Sequence, residues 1–203
     1  MRDSRYFLWG TFLSPRVVLF NELTVDMKIG VFCSANSDID PDFLSMTDNL
    51  GLWIGAHGHA LVFGGCNLGL MERVAKAVKT AGGLTIGVIP TIVEHRGGVS
   101  EYVDVEIPCD NLSDRKDLML AQSDVMIALP GGVGTLDEVF TVSASRTIGY
   151  HHKRVILYNM KGFYAPLLRL LEDLQAQGMM RGAWTDCLEV AESLEDLVGM
   201  IGQ

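Results

Sequence analysis

The sequence predicts an α/β sandwich built on a mainly parallel sheet in a single domain. Three observations predict it. Apolar runs of strand length alternate with segments of helical spacing along most of the chain, the pattern of a sheet covered by helices. Two of the strand-to-helix junctions are rich in glycine, 64–71 and 130–138. The length of 203 residues, with 48% hydrophobic and 20% charged residues, suits one well-buried globular domain and leaves little room for a second.

Taken in order, residues 28–33 form an apolar run that reads as a buried strand, followed by a small polar loop, Ser34-Ala35-Asn36, open to a ligand. Residues 38–58 read as a helix: Asp40 precedes Pro41 as N-cap and first-turn proline, and Phe43, Met46, Leu50 and Ile54 fall at core spacing. Residues 60–63 form the second strand. The helix over 70–81 stops at Gly82-Gly83, and the third strand, 84–89, is ended by Pro90. Residues 91–100 read as a connection, and 102–107 alternate as a half-exposed strand does. Capping residues crowd 110–114, so a helix is expected to begin there and run to Ala121. A strand at 124–129, a helix at 135–147, a strand at 153–158, a helix at 163–177, a strand at 188–191 and a helix at 193–201 complete the alternation.

The formal net charge of −9 argues against nucleic acid as a partner, since a phosphate backbone demands clustered Lys and Arg. A small anion needs only a local positive patch. Cys33, Cys66, Cys109 and Cys187 are widely spaced with no Cys-x-x-Cys pair, which favours reduced thiols in a cytoplasmic protein over a disulfide framework or a zinc site. The histidines lack metal-ligand spacing, and neither a metal nor a cofactor is expected. Residues 1–26 differ from the rest. Their apolar stretch at 6–13 is too short to span a bilayer and has no cleavage site after it, so 1–26 reads either as an extension ahead of a native start at Met27 or as a loosely attached arm.

The chemistry concentrates at Pro130-Gly-Gly-Val-Gly-Thr-Leu-Asp-Glu138. Glycines let a backbone approach a ligand closely, and the unpaired N–H groups and dipole of a first helical turn favour phosphate. Gly131, Gly132, Val133, Gly134 and Thr135 are therefore expected to bind substrate, with the Glu138 carboxylate beside them. Thr135 to Glu138 also spells a capping box, in which the two side chains merely satisfy backbone N–H groups, and the motif alone fits both readings. The other junction supplies Gly64, Gly65, Asn67, Gly69 and Met71, and the first loop Ser34, as further substrate contacts. Arg115 and Lys116 stand where positive charge opposes a helix dipole, a placement that an anionic ligand explains. The alternative is a pair of solvated charges offset by Asp114 and Asp117.

In order and spacing, Gly64-Gly-Cys-Asn-Leu-Gly-Leu-Met71, Asp114-Arg115-Lys116 with Met119, and the 130–138 loop resemble the Lonely Guy type of cytokinin riboside 5′-monophosphate phosphoribohydrolases, many of which carry a misleading lysine decarboxylase label. The resemblance runs from Met27 to the C-terminus. It implies a homodimer of modified Rossmann-like, three-layer fold that hydrolyses the N-glycosidic bond of a nucleoside 5′-monophosphate, AMP or an N6-modified AMP. By position, Arg115 and Glu138 match the family's catalytic pair, and Lys116 with Gly131 to Thr135 its nucleotide contacts.

The chain departs from that family at several positions. Glu72 replaces a usual Gly, Leu112-Ser113 a usual Met-His, Ala144 a Thr of plant members and Thr147 a common Gln; an acidic substrate contact in 91–111 has only Glu94 as candidate. These changes bear on the base. A non-hydrolysing relative of the same fold, such as a molybdenum-cofactor carrier, is the alternative. Amino-acid decarboxylation lacks support, because no pyridoxal phosphate motif is evident.

Overall fold

In the computed structural model, residues 25–91 and 98–202 are described; 1–24, 92–97 and 203 lie outside, and with them Glu94 and nearly all of the N-terminal extension. The strands are β1 (Lys28–Phe32), β2 (Ala60–Phe63), β3 (Leu84–Pro90), β4 (Val105–Cys109), β5 (Val125–Ala128), β6 (Arg154–Tyr158) and β7 (Glu189–Ala191). They pair in parallel as one seven-stranded sheet, in the order β4-β3-β2-β1-β5-β6-β7. The helices are α1 (Pro41–Ala56), α2 (Gly69–Thr80), α3 (Leu112–Gln122), α4 (Val133–Thr147), α5 (Ala165–Ala176) and α6 (Leu194–Ile201), with short 3-10 turns at Met160–Gly162 and Trp184–Asp186.

Successive strand residues point to opposite faces, so each strand feeds two cores. Ile29 and Val31 of β1 join Leu50, Ile54, Val74, Val78 and Leu197 from α1, α2 and α6. Phe32 of the same strand points the other way, to Met119, Val139, Val142 and Leu171 from α3, α4 and α5. The result is the expected three-layer sandwich. Burying each such side chain is worth about 1.5–3 kcal/mol, enough to hold short strands with no edge alternation of their own.

Local signals set the helix starts. Asp40 accepts from the Asp42 N–H at 2.9 Å with Pro41 in the first turn, and Ser193 accepts from the Asp196 N–H at 3.0 Å. Two expectations need correction. The strand expected at 102–107 runs instead from Val105 to Cys109. The Asp104 carboxylate accepts from the Thr85 N–H at 2.9 Å and from Lys79 at 2.7 Å, and the Tyr102 carbonyl accepts from the Thr85 hydroxyl. That clamp turns the chain at the head of β3, so pairing begins only at Val105 opposite Ile86. Pro90 also stays in β3, paired with Cys109 at its last position, where its missing N–H costs least.

Sheet order reverses at β1, which has β2 on one side and β5 on the other. In open parallel sheets the crevice beyond the carboxyl ends of the strands at such a reversal is where ligands bind.

Candidate active site

Three loops meet beyond that reversal, after β1, β2 and β5. Backbone bonds lace them: Leu129 N–H to Phe32 O at 2.9 Å, Ser34 N–H to Pro130 O at 3.1 Å, and Leu70 N–H to Ser34 O at 2.9 Å. From the layer below, the buried Tyr164 hydroxyl donates to Leu129 O at 2.6 Å, fixing the chain just before the glycines.

The glycine loop opens α4 two residues earlier than expected. Gly132 is the N-cap and provides no side-chain cap, leaving the N–H groups of the first turn for an anion. A Cβ on Gly131 would lie 2.1 Å from the Thr135 hydroxyl oxygen, so Gly131 is what allows the buried Thr135 to fold back onto the loop. At Gly132 and Gly134 an added Cβ would meet nothing within 4 Å. Both line the cavity, so internal packing does not require glycine there, and close approach of a ligand would.

This start removes the capping-box reading. Thr135 is the third helical residue rather than the cap, and Glu138 lies beyond the first turn. The Glu138 carboxylate faces Arg115 of α3 instead, with Arg115 Nη1 at 3.4 Å from Glu138 Oε1 and the two side chains 15% and 12% exposed. Asn111 caps α3 by accepting from Ser113 and Asp114 N–H groups, which places Arg115 in the first turns. Its guanidinium is held by Val88 O at 3.3 Å from Nε and by the Met71 sulfur at 3.9 Å from Nη2. Gly64 forms the floor beneath it. A Cβ there would sit 1.5 Å from Arg115 Nη2.

The resulting cavity, about 240 Å³, is lined by Cys33, Ser34, Ala35, Arg115, Gly132, Gly134, Thr135 and Glu138. Burial drives the Glu138 carboxyl up from 4.5 to about 7; Arg115 and Lys116 pull it down and Asp137 adds to the rise. A carboxyl near neutrality can exchange protons at working pH. Burial also pushes the Cys33 thiol well above its ordinary value, with Glu138 adding to the rise, so Cys33 stays protonated. Larger hollows lie elsewhere. One of about 660 Å³ is bounded by Phe140, Leu171 and Met180 but contains neither Arg115 nor Glu138, which line the smaller cavity.

Other expected contacts stand around this centre. Lys116 is outside the cavity and is not a solvated charge: its ammonium binds Asp137 at 2.8 Å and the Thr141 hydroxyl at 3.0 Å, locking α3 to α4. Gly65, at φ +68°, has room only for hydrogen beside Ile89. Asn67 and Gly69 border a neighbouring recess, and Val133 is fully presented to solvent at the head of α4. Sequence reasoning missed Cys33 as a lining residue, whose one signal is position at the carboxyl end of the central strand, and marked Ala35 only as part of the open 34–36 loop. Among the described residues no three His, Cys, Asp or Glu side chains gather as a metal site, the four cysteines are free, and no helix is long and apolar enough to cross a membrane.

Fold and site together define a doubly wound α/β protein with a glycine-lined cleft and a buried Arg–Glu pair at the sheet reversal. The family model described as "possible lysine decarboxylase" matches residues 71–201, and the chain belongs to that family. It is 33% identical over 175 residues to the cytokinin riboside 5′-monophosphate phosphoribohydrolase of Mycobacterium tuberculosis, covering 86% of this chain and 93% of that protein. It is 38% identical over 153 residues to the probable cytokinin riboside 5′-monophosphate phosphoribohydrolase LOGL9 of Oryza sativa subsp. japonica, covering 75% and 67%. Among solved structures, the molybdenum cofactor carrier protein of Chlamydomonas reinhardtii superposes with a TM-score of 0.68 at 28% identity, covering 87% of this chain and 96% of that one.

Proposed function

We propose that this protein hydrolyses the N-glycosidic bond of a nucleoside 5′-monophosphate, giving the free base and ribose 5-phosphate. The observation that carries the reading is the Arg115–Glu138 pair facing an uncapped glycine-loop helix N-terminus in one cavity. Relatives named as phosphoribohydrolases at 33% and 38% identity support it.

Each part of the cavity has a task in that reaction. Peptide N–H groups at Gly132 to Thr135 take the phosphate. As the C1′–N bond breaks, positive charge grows on the ribose, and the Glu138 carboxylate stabilises it and orients the water that adds to C1′. The departing base gains a proton as the water loses one. Arg115 offers N–H donors to the leaving side and draws the Glu138 carboxyl down against the rise that its burial imposes.

The working unit in this reading is a cytoplasmic homodimer. Val133, Phe140, Ile148 and Tyr150 expose apolar surface along and just after α4, a face suited to a second copy, and four free thiols fit a reducing compartment. A second reading, a carrier that holds a nucleotide-like cofactor without cleaving it, draws on the likeness to the molybdenum cofactor carrier protein. Incubation with a panel of nucleoside monophosphates, followed by chromatography, separates the two: the hydrolase releases base, whereas a carrier returns its ligand intact.

A further inference from the structure

The contact between Arg115 and Glu138 has a neighbour. One residue along each helix, the Lys116 ammonium donates to the Asp137 carboxylate at 2.8 Å and to the Thr141 hydroxyl oxygen at 3.0 Å. Thr141 gives its own O–H to the Asp137 carbonyl at 2.7 Å, which leaves its oxygen turned to accept. The Lys116 side chain is 14% exposed and that of Asp137 56%, so the ammonium is withdrawn from water and depends on these partners, while Asp137 is solvated with or without it.

Consecutive residues of an α-helix point about 100° apart. Arg115 therefore reaches into the cavity while Lys116 points past it, and the two contacts together fix how α3 is turned against α4. Among the described residues, Arg115 and Lys116 are the only α3 side chains that hydrogen-bond to α4. The inner contact is long, 3.4 Å, and weak as a hydrogen bond; the outer one is short and doubly bonded. The outer contact is the one that can hold the helices.

Resting on the nucleotide-hydrolase reading for its kinetic consequence, we infer that Lys116 and Asp137 are positioning residues, an outer rung that holds Arg115 and Glu138 at their working separation without touching the nucleotide. The rung also sets the charge around Glu138. Arg115 and Lys116 face that carboxyl from α3, Asp137 from its own helix and Cys33 from the end of β1. Beyond the rise that burial imposes and the lowering by Arg115, Asp137 raises the Glu138 carboxyl and Lys116 lowers it. The intact rung opposes these two influences, and breaking either half unbalances them in a stated direction.

Two measurements test it. The first needs no turnover: carbon-13 NMR follows the Glu138 carboxyl through a pH titration, its resonance assigned by its loss in Glu138→Gln. Asp137→Asn should move the midpoint down from about 7 and Lys116→Met should move it up, with the double variant between them. Midpoints unmoved by either change, or moved in one direction by both, overturn the inference. The second is steady-state hydrolysis of AMP. Each variant should lose about 10–10² in kcat with KM changed less than about threefold, and the double variant little more than the worse single one, since a misplaced pair costs chemistry and not binding. A Lys116 that gripped the nucleotide would show its loss in KM, and Asp137→Asn, by freeing the ammonium, would tighten binding; that pattern also overturns the inference. Asp137 is more than half exposed, so Asp137→Asn keeps the test open should Lys116→Met fail to fold. A wild type that releases no base sinks the hydrolase reading, and the direction of the NMR shifts still decides this one.

Discussion

The guanidinium of Arg115 lies 3.4 Å from the carboxylate of Glu138, bridging the starts of two helices that follow different strands. Neither residue is there for the other's stability alone. A buried ion pair repays its desolvation only when every polar atom is well bonded, and this contact is long, with a carboxyl that burial holds near neutrality. On the proposed function, the pair acts on a bound nucleotide.

Glu138→Gln keeps the shape and removes the charge. It should fold normally and lose about 10²–10⁴ in rate, the usual contribution of an acid–base group. Steady-state release of base from AMP together with a circular dichroism melt checks both halves, and normal turnover would leave Glu138 without a catalytic role.

The raised Glu138 value gives two pH signatures. Catalysis needs the carboxylate, so kcat/KM should climb as pH rises through about 7. Stability should move the other way. A carboxyl whose folded value, about 7, exceeds its unfolded 4.5 contributes stability that is complete below pH 4.5 and lost as pH rises through 7. Wild type should therefore lose on the order of 3 kcal/mol relative to Glu138→Gln between those limits, at about 1.4 kcal/mol per pH unit. Denaturant titrations of both proteins at pH 5 and pH 8 measure it; parallel behaviour would show that Glu138 is not held near neutrality.

Gly64→Ala puts a methyl where Arg115 Nη2 now rests, 1.5 Å from it. The obstructing atom is the end of a flexible side chain, so the fold should survive while the guanidinium is displaced. Activity should fall by about 10² with little change in melting temperature, as expected when a catalytic group is misplaced by an ångström or so. Unchanged kcat/KM would mean that the position of Arg115 over Gly64 is irrelevant to the reaction.

Tyr164→Phe removes the donor to Leu129 O beneath the glycine loop. Leaving that carbonyl unpaired should cost about 1–3 kcal/mol. Chemical denaturation reads the loss directly, and a variant as stable as wild type would show that the hydroxyl does not anchor the loop.

Much of this architecture is legible in the sequence for a local reason. β1, β2, β5 and β6 are covered on both faces, so each is a short unbroken apolar run between polar breaks, and Asp40 and Ser193 announce α1 and α6 by their own side chains. What failed was decided at a distance. The start of β4 depends on Asp104 reaching Thr85 and Lys79, and the start of α4 on a glycine cap with no side chain to betray it. The glycine loop is legible by itself as a strand-to-helix junction lining the cavity. That Arg115 meets Glu138 while its neighbour Lys116 turns to Asp137 and Thr141 depends on how α3 and α4 pack, which no spacing within either helix encodes. Cys33 and Ala35 enter the cavity only because β1 is central and ends there.

The central claim is that Arg115 and Glu138 act as one unit on a bound nucleotide, and a double-mutant cycle on kcat/KM for AMP tests it most directly. Arg115→Ala and Glu138→Gln should each lose about 10²–10⁴, and the double variant little more than the worse single one, as for residues that share a task. Losses that multiply in the double variant, or turnover that survives either single change, would contradict it.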